Sequence, residues 1–158
     1  MPHTIRRATA NDRVALGKLG ASLMRLHYGF DRERFLAPGD DPEDGYGWFL
    51  GTQLRDADVI LLVAERDGDV VGYVYAGLEP VSWKELRGPA GFVHDVVVQD
   101  DARQTGIASA LLHAAMDWLR ERGAPRVVLW TAERNVPAQR LFAALGFRRT
   151  MIEMTREL

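Results

Sequence analysis

A mixed α/β fold is what this sequence predicts, and three observations carry the expectation. Two β-branched runs, VILLVAER (59–66) and VVGYVYAGL (70–78), flank an Asp-Gly turn, the signature of an antiparallel hairpin. A third apolar run, GFVHDVVV (91–98), leads through an amphipathic helical stretch to RVVLWTA (126–132), which makes a β-α-β unit with a parallel strand pair. Helical stretches before and after these runs flank the sheet. The 158 residues form a single domain, 1–158, of a size to bury roughly 70% of the unfolded surface without a staple.

In chain order, TIRRA (4–8) is a short strand. Thr9 or Asn11 can cap a helix with Val14, Leu16, Leu19, Leu23 and Leu26 at helical spacing. The next stretch, YGFDRERFLAPGDDPEDGYG, is rich in Gly, Pro and acids and reads as a broken loop with one helical turn at 32–36. Helix resumes over 47–56, followed by the hairpin and a polar loop, EPVSWKELRGPA. After the strand at 91–98, the next helix turns Ile107, Leu111, Leu112, Ala115, Met116 and Leu119 inward and stops at Gly123 and Pro125. Residues 126–132 are a buried strand, 136–146 a short helix with proline in its first turn, and FRRTMIEMTREL ends in a further strand.

Composition excludes several classes of function. With no cysteine there is no disulfide, no thiol nucleophile and no cysteine-ligated metal. His3, His27, His94 and His113 stand singly, so no metal is expected. A formal charge of −2, from 20 basic and 22 acidic residues, carries no electrostatic footprint for nucleic acid. The N-terminus lacks the apolar region of a signal peptide, and no run reaches the roughly 20 apolar residues of a membrane span. The expectation is a soluble, cytoplasmic protein with no membrane partner.

The stretch RQTGIASALL (103–112) stands at the junction of a strand and a helix. The first amides of a helix lack internal partners and sit at the positive end of its dipole, so the junction suits an anion. Gly106 lets backbone approach closely, Ala108 and Ser109 leave room, and Arg103 adds charge. The same small residues would serve any strand-to-helix junction, which is the alternative at this point. GxxxxGK[ST] and GxGxxG are both missing, which argues against a nucleoside triphosphate or a dinucleotide.

VVVQDDARQTGIASALL resembles the acyl-CoA-binding motif of the GNAT superfamily of N-acetyltransferases, [QR]-x-x-G-x-[GA], with Arg103, Gly106 and Ala108 in the motif positions. N-x-x-A-x-x-L-F-x-x-L-G-F, from Asn135 to Phe147, resembles that superfamily's penultimate helix. The resemblance covers almost the whole chain. It implies a central, mostly antiparallel sheet with a splayed parallel pair, 91–98 and 126–132, and flanking helices. It also implies acetyl-CoA as acyl donor, with the main chain of Val96, Val97 and Val98 along the pantetheine arm. Amides of Gln104, Thr105, Gly106, Ile107, Ala108 and Ser109 would hold the pyrophosphate, with Arg103 beside them. Asn135 would face the pantetheine or thioester end.

The implied activity is transfer of the acetyl group to a primary amine, small-molecule or protein, by direct attack in a ternary complex. A non-catalytic acyl-CoA-binding regulatory domain of the same fold is the alternative. An alkyl amine has a pKa of about 10.4 and must lose a proton before attack. Several relatives use a glutamate on the CoA-contacting strand, where this chain has His94, with Asp95 beside it and Glu133 as a further alternate. Imidazole can act as such a base, but on an ideal strand His94 and Asp95 face opposite ways unless a bulge intervenes. Where many members carry an acid tyrosine, this chain has Phe142, so the thiolate would leave with help from water or another donor, with Tyr28, Tyr73 and Tyr75 as candidate replacements.

The acceptor is expected where the first helix, the loop after it and the loop at 79–90 meet. His27, Tyr28, Phe30, Phe35, Tyr46 and Trp48 would form aromatic walls, and Asp40, Asp41, Glu43 and Asp44 would attract a cationic amine. A solvated loop over core aromatics is the alternative there. The tail RRTMIEM could lie at a subunit contact, with monomer and homodimer both open.

Overall fold

The structure is a computed structural model that describes residues 2–158. Its strands are β1 (Thr4–Arg7), β2 (Val59–Arg66), β3 (Asp69–Glu79), β4 (Ala90–Val98) and β5 (Val127–Leu129), and its helices are α1 (Arg13–Phe30), α2 (Pro42–Gln53), α3 (Ile107–Glu121) and α4 (Val136–Ala144). The strands form one sheet in the order β1-β2-β3-β4-β5. The first four run antiparallel to their neighbours, and β5 runs parallel to β4. The mixed sheet with flanking helices is the fold class read from the sequence.

Two apolar clusters sandwich the sheet. On one face Leu62, Val74, Val93 and Val98 pack with Leu111, Leu112, Ala115 and Leu119 of α3 and Phe142 of α4. On the other, Leu61, Val63, Tyr73, Tyr75 and Val97 pack with Leu16 and Leu19 of α1 and Leu50 of α2. The predicted hairpin is present, its turn made by Asp67 (φ 54°) and Gly68 (φ 84°), the paired left-handed conformation that matches strand twist.

Thr9 caps the helical turn that opens into α1, and Asp12 returns the bond to the Thr9 amide at 2.8 Å. Arg6 grips both oxygens of Asp12, at 2.8 and 2.9 Å, and so ties β1 to the head of α1. That guanidinium holds the buried Asp12 carboxyl below its ordinary range. Of the predicted inward residues of α1, Leu16 and Leu19 are buried, whereas Val14 and Leu26 are exposed.

Three elements differ from the sequence reading. α2 starts at Pro42 rather than at 47, capped by Asp41, whose side chain accepts from the Asp44 amide at 3.1 Å. Glycines read as breakers serve instead as a helix crossing. A Cβ at Gly47 would come within 2.9 Å of the Arg13 carbonyl oxygen, and one at Gly17 would overlap that of Glu43. β5 is three half-buried residues rather than a buried strand over 126–132, because it pairs only with β4, and Trp130 is exposed. Residues 148–158 form no strand, and Met151, Ile152 and Met154 are exposed. Alternation makes a strand only against a ladder partner, and this tail makes ion pairs instead, Glu153 with Arg34 of the α1–α2 loop and Arg149 with Glu133.

The close α1–α2 crossing generates a prediction. Gly17→Ala should destabilise the protein by about 1–3 kcal/mol, as overpacking does, read by urea denaturation; unchanged stability would show that the helices can separate freely.

Candidate active site

The site begins with a defect in the sheet. Asp95 pairs with Tyr75 and Val93 with Ala76, so His94 is an extra residue in β4. A bulge of this kind reverses the alternation of side chains beyond it. Val93, Val96 and Val98 therefore pack on the α3 side, while His94 and Asp95 both face α1 and α2. The His94 ring stacks on Phe92 at 4.9 Å, lies 4.8 Å from the Tyr75 ring, and brings Nε2 within 3.3 Å of Glu79 Oε1. Asp95 Oδ2 accepts from the hydroxyls of Tyr46, at 2.5 Å, and Tyr73, at 2.9 Å.

Burial pushes the Asp95 carboxyl above its ordinary value, against the downward pull of the Tyr46 and Tyr73 hydroxyls. The same burial, with the carboxylate beside them, pushes both phenols well up, so they remain donors. The Tyr46 ring lies on Gly20 of α1, where a Cβ would overlap it. The helix crossing and the bulge thus meet at one carboxylate.

Beside the bulge the sheet opens. Pairing of β4 with β5 ends at Val93 and Leu129. Gln99 N donates to Val71 O in β3, so strand alternation turns the amides of Val96 and Val98 the other way, into the gap. The Val98 carbonyl, on that same side, accepts from Arg103 Nε at 3.2 Å. Val97 turns its main chain to β3 and its side chain into the core. A cavity of about 280 Å³ fills the gap and extends towards α1; Asp95, His94, His27 and Tyr46 line it with Asn135 and Phe142 from the α4 side.

At the end of the gap, α3 begins without a side-chain cap. Gln104 (φ 60°) and Gly106 (φ 82°) hold left-handed conformations that wind the backbone into the helix. Space around Gly106 is open, with nothing within 4 Å of a built Cβ. The first amides of α3, through Ala108 and Ser109, lie at the positive end of the helix dipole, an arrangement that suits an anion; Ile107 is buried beneath them, and Thr105 turns its hydroxyl back to the Ala102 carbonyl. Arg103 is tied to Asp100 at 2.9 Å as well as to Val98.

The structure brings together His94, Asp95, Val96, Asn135, Phe142, His27 and Phe35 around one cavity. It leaves others outside. Glu133 is exposed and lies 3.9 Å from Arg149. Tyr28 and Trp48 do not line the cavity, and Trp48 is exposed. The acidic loop is also turned to other uses: Asp41 caps α2, Glu43 pairs with Arg25 and Asp44 with Arg13. Tyr73 donates to Asp95 and Tyr75 to Gln53 at 2.9 Å, so neither hydroxyl faces Phe142. Leu23, Met24, Leu36, Trp130 and Glu79 were missed by sequence reasoning; for Leu23 the helical spacing to His27 was an available signal. Among the described residues no three His, Cys, Asp or Glu side chains gather as a metal site, and no helix is long and apolar enough to cross a membrane.

An opened parallel pair beside an uncapped helix head is the architecture of acyl-CoA transferases. The model of the Acetyltransferase (GNAT) family matches residues 22–147, and the chain belongs to that family. A mycothiol acetyltransferase of Thermobispora bispora is 32% identical over 146 residues, 85% of this chain and 49% of the relative. An N-alpha-acetyltransferase of Sulfurisphaera tokodaii is 33% identical, with 70% of each chain covered. The chain spans about half the length, or less, of the mycothiol acetyltransferases it matches. Among solved structures, the aminoglycoside N-acetyltransferase AAC(6')-Iy in complex with CoA superposes with a TM-score of 0.78 at 21% identity, covering 99% of this chain and 95% of that one, a likeness of fold.

The Asp95 network carries a pH prediction. Because its folded-state pKa is raised, ionised Asp95 opposes folding above its unfolded value, and the two hydroxyl bonds offset part of that cost. Tyr73→Phe should therefore cost about 1–3 kcal/mol at about pH 8, with a smaller loss at an acidic pH below the raised value, where Asp95 holds its proton. Urea denaturation at both pH values checks it; equal losses would remove the charge from the account.

Proposed function

We propose that this chain is an acetyl-CoA-dependent N-acetyltransferase that acts on a primary amine by direct attack within a ternary complex. The observation that carries the reading is the convergence, at one cavity, of Val96 in the gap with the bulged pair His94 and Asp95, while the head of α3 follows the same edge of β4, tied to it by Arg103 on the Val98 carbonyl. The first amides of α3 hold the donor's pyrophosphate, and the edge of β4 holds its pantetheine arm. Asn135, whose Oδ1 accepts from the Ala138 amide at 3.3 Å, fixes the start of α4 against the thioester end.

The acceptor enters from the α1 side. His94, directly or through water, takes a proton from the ammonium, and Glu79 on Nε2 leaves the other ring nitrogen to accept it. The neutral nitrogen attacks the thioester carbonyl carbon: the C–N bond forms, the C–S bond breaks, and the Val96 amide stabilises the charge on the carbonyl oxygen. The departing thiolate takes up one proton and the product nitrogen releases its second. A thiol pKa of about 8.5 lets the thiolate leave without a dedicated acid, which suits a cavity where Phe142 stands in place of a tyrosine. With no cysteine in the chain, no thiol acyl-enzyme precedes transfer.

Thiol release from acetyl-CoA in the presence of a primary-amine library tests the reading. His94→Ala should lower kcat by about a hundredfold or more and alter the acidic limb of the pH-rate profile. Gly106→Glu, which places an anion at the helix head and strains the left-handed backbone there, should weaken acetyl-CoA binding at least about tenfold, with global folding checked by circular dichroism. Binding of acetyl-CoA without transfer to any amine would favour the regulatory alternative that Phe142 raises; no binding at all would reject both.

A further inference from the structure

The acceptor half of the cavity narrows the chemistry of the amine, given the transferase reading above. Its walls come from Leu23, Met24 and His27 of α1 and from Phe35 and Leu36 of the following loop. The His27 ring stands edge-on to Phe30 and Phe35, at 5.6 and 5.0 Å, and its Nδ1 is spent on the Leu23 carbonyl at 2.9 Å. Leu36 remains 77% exposed at the mouth, an apolar wall that a guest would cover.

Charge in this chamber is sparse. Among the described residues no Lys or Arg lines it, so no permanently charged cation there pairs with a phosphate or carboxylate on the acceptor, and Asp95 is the one carboxylate in its lining. Both tyrosine hydroxyls bond to Asp95 Oδ2, and no donor among the described residues occupies Oδ1. Three of the acids expected to attract a cationic amine are committed elsewhere, Asp41 to the cap of α2, Glu43 to Arg25 and Asp44 to Arg13. In the neighbouring hollow, Glu85 is held by Arg87 and Glu79 by His94. One carboxylate on an apolar floor matches one ammonium on an apolar body.

We infer that the acceptor is a compact primary amine borne on an apolar or aromatic group, with a single positive charge drawn to Asp95 and the carrier packed against the α1 wall and Phe35. An arylalkylamine fits this description. A polyamine or an aminoglycoside would bring two or more ammonium groups into a chamber with one partner, and a phosphorylated amino sugar would bring an anion with none. Leaving such groups unpaired against an apolar wall is costly.

The experiment compares kcat/KM for 2-phenylethylamine, spermidine, kanamycin and glucosamine 6-phosphate, with acetyl-CoA saturating. Phenylethylamine should lead every other amine by at least about tenfold; parity, or a lead by any of the others, overturns the inference while leaving the transferase reading intact. Acetyl-CoA binding with no amine acetylated would overturn both, and is told apart by that silence across the panel. Asp95→Asn should raise KM for phenylethylamine by about tenfold or more without changing acetyl-CoA affinity; an unchanged KM removes Asp95 from acceptor binding. Should that variant fail to fold, Met24→Glu, on the half-exposed wall, should shift the preference towards spermidine by about tenfold, and no shift would overturn the inference.

Discussion

Everything distinctive about this site depends on one extra residue in β4. In a regular ladder Asp95 would share a face with Val93, and His94 would point away from it. Because His94 is inserted between Val93 and Asp95, the strand changes parity in the middle of the sheet. Both polar side chains come to the α1–α2 face, while Val96 and Val98 stay on the α3 side, anchored in its apolar cluster. Pairing with β5 stops at Val93, the residue before the bulge. The two polar side chains and the open gap thus share one origin.

The second constraint is the glycine-to-glycine crossing of α1 and α2. Without side chains at Gly17 and Gly47 the helices approach until backbone meets side chain and backbone, and the bare surface at Gly20 seats the Tyr46 ring so that its hydroxyl reaches Asp95. A buried carboxylate needs donors, and Tyr46 and Tyr73 supply them from α2 and β3. The buried charge of ionised Asp95 costs stability, and the two hydroxyls offset part of that cost. Stability and the position of this carboxylate on the cavity wall are therefore coupled through the same three side chains.

Much of the fold was legible because the β2–β3 hairpin and the β4-α3-β5 unit rest on local patterns: an Asp-Gly turn, β-branched runs and a helical apolar stripe. The head of α3 was legible for the same reason, since Gly106 and its small neighbours are contiguous in sequence. What escaped lies in contacts between distant residues. Gly45 and Gly47 carry the composition of a loop, and only α1 makes them helical. The tail has the alternation of a strand but no partner. The need for a bulge at His94 was visible as a requirement; its existence depends on how β4 pairs with β3. The acidic residues at 40–44 suggested a cation site because their partners, Arg13 and Arg25, belong to another helix.

The most direct test separates the bulge from the histidine. Acetyl-CoA is titrated calorimetrically into two variants, His94→Ala, which keeps the extra residue, and a deletion of His94, which joins Val93 to Asp95 and makes the ladder regular. If the bulge opens the gap, His94→Ala binds like the parent chain, while the deletion variant, still folded by circular dichroism, binds at least about tenfold more weakly. Equal affinity in the two variants would contradict the account.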